Sequence, residues 1–533
     1  MRKKVLATLL AVVMLMGITA CGNSAPYSDE TAVKEDTESA QESSSEQNTS
    51  SNEVVTLNIF INESWWPVDT FTGIIPEAIT EATGVTLNVT VTADSSQLGV
   101  MIASNELPDI VFTSTEHDRL SNSKLCYSYV ELADMYGYDL GGNEEQINIA
   151  KSFSSDDDYY CLLNWYDTDE EWESLTVGAP GQCGIFYRKD LLDAAGIALP
   201  TTAEEFMDVL GQCKEAYPDM TPFGLGGTWK FQALSTWLGV GDSIYNGSAY
   251  YYDSSASAYK GLLKYCNELY RNGYITAEDY ANENEADSHQ NAYNNKCIFY
   301  SWYTSVVNLN QLNSETAKNQ EGAEWALMDP IADLNGEVHA CYGTSKGWGG
   351  TFVSKNCKDP EAAARLISFL CSEEGQKLTL WGREGIDYVE VDGELQFSEE
   401  WLETRKSTDK MNEKFNTYFY FGTRQTISLK SDFSGIEEEL AEQFTPYGVG
   451  YKNYPEIGIA MPTSATDEGV ILSKLNETKK VQEAKVIFSD SDKAFETNFE
   501  EYMKAMEQIG VSTYNEYMNA KIKEVKEAFN FGN

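Results

Sequence analysis

The spacing of apolar and polar positions sets the first elements. Val54 to Ile61 (VVTLNIFI) alternates and is rich in β-branched residues, which predicts a strand. Phe71 to Thr83 carries a helical period and is closed by Gly84. Val85 to Thr92 returns to the strand pattern, Gln97 to Ser104 reads as a short helix, and Asp109-Ile110-Val111-Phe112 as a buried strand. Strand and helix in alternation imply a parallel sheet with helices packed on it. Later stretches repeat the style. Gly184 to Tyr187 is a strand leading into helix Lys189 to Ala195, and Thr202 with Glu205 three residues on opens helix Ala203 to Ala216. Ala256 to Asn272 is a helix stopped by Gly273, and Pro360 to Leu370 is a helix with Pro in its first turn. From about Asp432 the chain reads as mostly helical, including Lys493 to Gln508 and Tyr514 to Phe529.

The first twenty residues break this pattern. Arg2, Lys3 and Lys4 precede an apolar run, Val5 to Met16, that is too short to span a bilayer. Ile18-Thr19-Ala20-Cys21-Gly22 follows and resembles the lipobox of bacterial lipoproteins, which implies cleavage before Cys21 and acylation of that residue. The alternative is an ordinary secretory leader whose cleavage site abuts a cysteine. Ser24 to Glu53 is rich in Ser, Glu, Thr and Gln and has no aromatic residue after Tyr27, so it reads as a solvated tether with a reach of roughly 30 Å. No later stretch approaches 18 uninterrupted apolar residues.

Charge narrows the partners. The 533 residues hold 84 Asp and Glu against 38 Lys and Arg, and loss of the leader's three basic residues takes the net charge from −46 to −49. Such a surface repels phosphate backbones and anionic headgroups, so nucleic acid is an unsuitable partner. Three histidines leave little room for a His-rich metal site. Beyond Cys21 there are nine cysteines without compact spacing. They read as small buried hydrophobes with at least one unpaired, although one or two disulfides would be compatible with an exported chain.

Five segments in order carry a resemblance. They are Ala103-Ser104-Asn105-Glu106-Leu107-Pro108-Asp109-Ile110-Val111, Gly184 to Leu192 with Ala195-Gly196-Ile197 and Pro200-Thr201-Thr202, and Asn294 to Trp302. Phe352-Val353-Ser354 through Asp359-Pro360-Glu361-Ala362-Ala363 to Gly375 follows, and then Trp381 to Tyr388 with Val391-Asp392-Gly393 and the tail Ile509 to Tyr514. Together they resemble the family 1 extracellular solute-binding proteins of ABC importers, with Thr202 and Ala203 where Trp is more usual. The resemblance spans about Val54 to Phe531 and includes a lipoprotein branch linked to sugar uptake. It implies an α/β, two-lobe periplasmic-binding-protein-like fold with discontinuous lobes and a hinge, closing on ligand. The expected division is leader 1–20, lipidated Cys21 and tether 21–53, lobe I at 54–183 plus 343–382, and lobe II at 184–342 plus 383–533. The crossings are expected near Gln182 to Phe186, Tyr342 to Gly350 and Gly382 to Tyr388. It further implies a monomer on the outer face of the cell membrane that passes a carbohydrate to ABC permease subunits served by a separate ATPase, and no cofactor.

A sugar offers apolar C–H faces, which flat rings cover, and hydroxyls, which polar side chains satisfy. The chain has 11 Trp and 32 Tyr. Loops at strand ends give the candidates: Trp65 and Trp66 beside Glu63, then Ser114, Thr115 and Asp118, then Trp165 and Tyr166 between acidic runs, and Trp229. Trp302, which should emerge at the end of a strand from Cys297 to Tyr300, is the leading one, with Tyr303 beside it. Trp348, in Lys346-Gly347-Trp348-Gly349-Gly350, completes the set, while Asp109 reads as structural. Catalysis fits less well. Gly343-Thr344-Ser345-Lys346-Gly347 matches G-x-S-x-G, but no His follows it in the chain. Phosphate-binding, zinc-protease and EF-hand patterns are missing. The acidic runs Asp156 to Asp158 and Asp167 to Glu173 read as solvated surface rather than calcium ligands. Paired carboxylates keep a lipid-anchored glycoside hydrolase open as the rival reading, and a binder of a non-sugar solute is another.

Overall fold

The first strand forms where its alternation predicts. In the computed structural model β1 (Val55–Ile61) lies between β2 (Val85–Val91) and β3 (Ile110–Thr113), parallel to both. The described residues are 54–94, 96–168, 170–171, 183–344, 346–529 and 531. The leader, Cys21, the tether and Ser345 lie outside them. Helix Ile74–Thr83 begins three residues later than its pattern suggests, because Gly73 precedes it at φ 114°, and it ends on left-handed Gly84 as expected.

Two four-stranded sheets organise the chain. With β4 (Cys183–Arg188), β5 (Thr221–Leu225), β6 (Cys297–Tyr303), β7 (Trp325–Leu327), β8 (Tyr342–Gly343) and β9 (Gly350–Val353), the orders are β2-β1-β3-β9 and β5-β6-β4-β7. The first sheet is parallel except for β9. In the second only β5 and β6 run parallel, and β4 is antiparallel to both its neighbours. Both faces of each sheet are buried. Ile59 and Phe112 belong to one core of the first sheet, Phe60 and Val111 to the other. In the second sheet Ile185 and Phe299 lie in one core, Phe186 and Tyr300 in the other. That explains why β3 and β6 read as near-continuous apolar runs, while β1 and β2 keep some alternation.

Capping follows the local chemistry. The Asp359 side chain accepts from the Ala362 N–H ahead of Pro360. Thr202 caps its helix through the Glu205 N–H, while the Glu205 carboxylate reaches back to Thr201 N and Oγ1 rather than to Thr202. Asp109 is structural, as expected: it is buried and accepts from Asn58 N, Asn58 Nδ2 and Lys358 N at 2.7–2.9 Å. All nine described cysteines are unpaired, and seven are buried. Burial raises the pKa of every one, to about 12 at Cys126, Cys183, Cys213, Cys357 and Cys371.

Two expectations need correction. Trp401, Phe415, Phe419 and Phe421 are part of the first sheet's core, so the chain does not cross at Gly382 to Tyr388. It leaves after Phe421, and Phe433, Phe444 and Tyr447 then pack on the second sheet. The large rings of 397–421 are the physical reason, since Phe397, Phe419 and Phe421 are packed on Trp381, Phe71 and Trp66. Asp167, in turn, is buried rather than solvated. It accepts from Thr426 N and Oγ1 at the start of helix Gln425–Phe433. The C-terminal part is helical as expected, ending in helices Asp467–Ile487, Asp492–Ile509 and Val511–Phe529.

Candidate functional site

Three connections meet at one end of the first sheet. Ile61 pairs with Phe112, and Thr113 with Gly350, so the turns after β1 and β3 lie beside the approach to β9. These are the carboxyl ends of two parallel strands, where open α/β sheets leave a crevice. The turn after β1 carries Glu63, Trp65 and Trp66. Glu63 is 7% exposed, accepts from Ser114 N at 2.7 Å and from the Trp65 indole N–H at 3.0 Å, and has its pKa raised by burial. Thr115 Oγ1 accepts from Asn62 Nδ2 at 3.2 Å. Ser114 and Thr115 therefore hold the Asn62–Glu63 turn in place.

The approach to β9 is fixed by segment 163–165. Asn164 N donates to Gly349 O, Gly349 N to Asn164 Oδ1 and Trp348 N to Asn164 O, at 2.9–3.2 Å. Gly347 has φ 88°, and a Cβ on Gly349 would stand 2.4 Å from the Phe112 ring, so this path requires glycine at both positions. Trp165 itself is left-handed at φ 54°, an uncommon conformation for a bulky residue. Its amide donates to Thr423 O at 2.6 Å.

These constraints gather the rings. Trp348 lies 5.9 Å from both Trp65 and Trp165, and Trp165 meets Tyr420 edge-on at 4.4 Å. Trp66 is buried beneath them, stacked on Phe421 at 6.0 Å. The second sheet supplies a smaller group in the same relation to its strands. Leu225 at the end of β5 pairs with Ser301, so the turn carrying Trp229 emerges beside Tyr303, and the two rings are 5.4 Å apart. Thr228 Oγ1 donates to Glu285 Oε1 at 2.5 Å.

Electrostatics link the two groups. Burial and then the charge of Glu63 raise the Glu285 pKa, opposed by the Thr228 hydrogen bond. The Tyr420 hydroxyl is raised by burial and by Tyr418, Glu63, Tyr303 and Asp432 around it. Burial pushes Asp432 up to about 7, against the pull of Arg405. The charges of Glu63 and Asp432 thus both act on the Tyr420 hydroxyl.

The sequence candidates divide accordingly. Trp65, Trp165 and Trp348 come together half-buried, with Trp66 as their floor, and Trp229 and Tyr303 pair at the end of the second sheet. Trp302 does not emerge, because β6 runs on through Tyr303. Its ring is 5% exposed and packs on His289 at 4.2 Å. Tyr166 is likewise buried, in the core with Tyr160 and Phe352. Asp118 is engaged elsewhere: Ser464 N and Oγ donate to it at 2.9 and 2.6 Å. Tyr418, Tyr420, Glu285 and Asp432 were not foreseen. The aromatic run Tyr418-Phe419-Tyr420-Phe421 before Gly422 was a usable signal for the first pair.

A sequence model of bacterial extracellular solute-binding proteins matches residues 75–385. The chain belongs to that family. Among solved structures, this binding protein superposes on the alginate-binding protein AlgQ2 with TM-score 0.65 at 17% identity, over 88% of its own length and 98% of the other. The Streptococcus pneumoniae ABC-transporter substrate-binding protein FusA in complex with kestose gives 0.63 at 18%, covering 89% and 100%. The S. pneumoniae N-glycan transport protein NgtS with Man5GlcNAc gives 0.54 at 15%, covering 89% and 99%. These likenesses show the two-lobe fold. Comparison with curated proteins returns no match. Among the described residues no helix is long and apolar enough to cross a membrane.

Proposed function

We propose that this binding protein is a lipid-anchored receptor that captures an oligosaccharide outside the cell and hands it to an ABC importer. The observation that carries the reading is the gathering of Trp65, Trp165, Trp348 and Tyr420 at the end of the first sheet, with a second pair, Trp229 and Tyr303, at the end of the second. Rings of this kind cover the C–H faces of sugars, and the carboxyl groups among them accept from hydroxyls. Neighbours described as binding kestose, Man5GlcNAc and alginate support a carbohydrate ligand. A ligand touching both groups binds the closed arrangement better and draws the lobes together. Lobe I comprises the first sheet with 350–421, lobe II the second sheet with the C-terminal helices. The chain has no phosphate-binding loop, so the permease is driven by a separate ATPase.

Calorimetric titration with a panel of neutral oligosaccharides tests this reading. One member should bind with micromolar affinity or better and be recovered intact by mass spectrometry. Cleavage of the bound sugar would favour the hydrolase, and an absence of binding across the panel would remove the carbohydrate reading. For the anchor, Cys21→Ala should abolish lipid attachment. A variant that still partitions into detergent with the same lipid mass would end the lipoprotein assignment.

A further inference from the structure

Away from the aromatic groups, one histidine stands among carboxylates in a geometry that sugar binding does not use. The turn before β8 carries Asp333, Glu337 and His339. One oxygen of each carboxylate and one ring nitrogen of His339 lie within 4.8 Å of one another. His339 Nε2 is 3.4 Å from Asp333 Oδ2, at the far limit of a hydrogen bond. Two donors each roughly 2.1 Å from a tetrahedral zinc ion stand about 3.4 Å apart, so this separation matches the edge of a coordination tetrahedron. Asp333 is 8% exposed and is oriented locally: Oδ1 accepts from Asn335 N at 2.7 Å and Glu337 N at 2.9 Å, and Oδ2 accepts from Asn335 Nδ2 at 3.1 Å. Oδ2 keeps a second lone pair for a cation. Glu337 is exposed, and a side-chain rotation closes its carboxylate on the same centre.

Two observations outside that turn point to a metal. Asp242, in helix Val240–Ile244, has its Oδ2 3.0 Å from His339 Nδ1. A histidine that ligates a metal gives its other ring N–H to a carboxylate in this way, which fixes the tautomer and leaves the Nε2 lone pair for the ion. Gly239, at φ 67°, seats the ring: a Cβ there would stand 2.7 Å from Cε1 and 2.9 Å from Nε2, so the imidazole edge can come this close only to glycine. We propose that Asp333, Glu337 and His339 bind one zinc ion, with water in the fourth position and Asp242 orienting the imidazole. One imidazole beside two carboxylates suits zinc, whereas calcium takes roughly six to eight oxygens. The ion ties the turn that leads into β8 to helix Val240–Ile244, and the site is independent of the carbohydrate reading.

The test is calorimetry on the full chain, stripped with a chelator and titrated with zinc chloride and, separately, with calcium chloride. Zinc should bind at one equivalent with micromolar affinity or better, and about tenfold or more tighter than calcium. Asp242→Asn should weaken zinc binding by roughly tenfold, and His339→Gln and Glu337→Gln by more than that. Melting curves of the stripped variants show whether they are folded. Should His339→Gln melt early, Glu337→Gln, at an exposed position, decides. An absence of saturable zinc binding would leave His339 as an imidazolium bridging Asp242 and Asp333, and would overturn the proposal. Tighter binding of calcium than of zinc overturns it too. So does unchanged zinc affinity in Glu337→Gln, since the ion then sits elsewhere.

Discussion

Trp348 and Trp302 sit near corresponding places in two sheets, and their fates differ. Trp348 precedes β9 on a glycine-bounded path that leaves its ring half-buried beside Trp65 and Trp165. Trp302 is the penultimate residue of β6, and neighbouring strands and helix Glu285–Tyr293 close over it. The indole is the same. The difference is whether the ring stands on a strand or on the turn that leads into one, since a ring on a strand is covered by that strand's neighbours.

The largest test of this contrast is Trp302→Ala. Loss of a core tryptophan should cost about 3–5 kcal/mol of stability, with near-normal affinity in the fraction that remains folded. An unchanged melting temperature with lost binding would return Trp302 to the cleft. Trp348→Ala should do the reverse, with a nearly unchanged melt of the free protein and a loss of about 2–4 kcal/mol in binding measured by calorimetry. If its melt falls as far as that of Trp302→Ala, the contrast collapses.

A smaller effect reads the core directly. His289 packs on Trp302, its Nδ1 is 2.7 Å from the Tyr300 hydroxyl, and burial holds its pKa down to about 3. The unfolded chain takes up that proton near pH 6.5, as an ordinary histidine does, whereas the folded chain does not until far lower. This contribution is complete above about pH 6.5 and is lost as pH falls toward 3, amounting to about 2 kcal/mol by pH 5. Denaturant titrations of wild type and His289→Gln should diverge in slope over that window, and parallel curves would place the ring in a wetter setting. Smallest is Asp118→Ala, which removes the hydrogen bonds from Ser464 in the C-terminal half. It should loosen the tie between lobes by about 1 kcal/mol. Scattering of the free protein should then shift toward a larger radius of gyration, and an unchanged profile would show that the tie does not hold the lobes.

Much of the first lobe was legible because its signals are local. Alternation gave β1, a glycine stop gave the end of helix Ile74–Thr83, and tryptophans in polar loops gave Trp65, Trp165 and Trp348. Trp302 misled because the end of β6 depends on β4, whose Gly184 pairs with it from far away in the chain. Tyr420 is not legible in the sequence because the rings of 397–421 show which sheet they join only through contacts with β3 and the β1 turn. Glu285 and Asp432 stand among 84 acidic residues, and nothing in their neighbours along the chain distinguishes them.

The buried, unpaired cysteines carry a consequence for the chain's passage out of the cell. In the folded state the thiols are poor nucleophiles, since burial keeps them protonated, and oxidants find little thiolate to attack. Before folding all nine have ordinary acidity and are free to form wrong pairings. For a chain exported as proposed above, collapse races oxidation, and once collapse has won, the described thiols are kinetically sheltered without a crosslink among them.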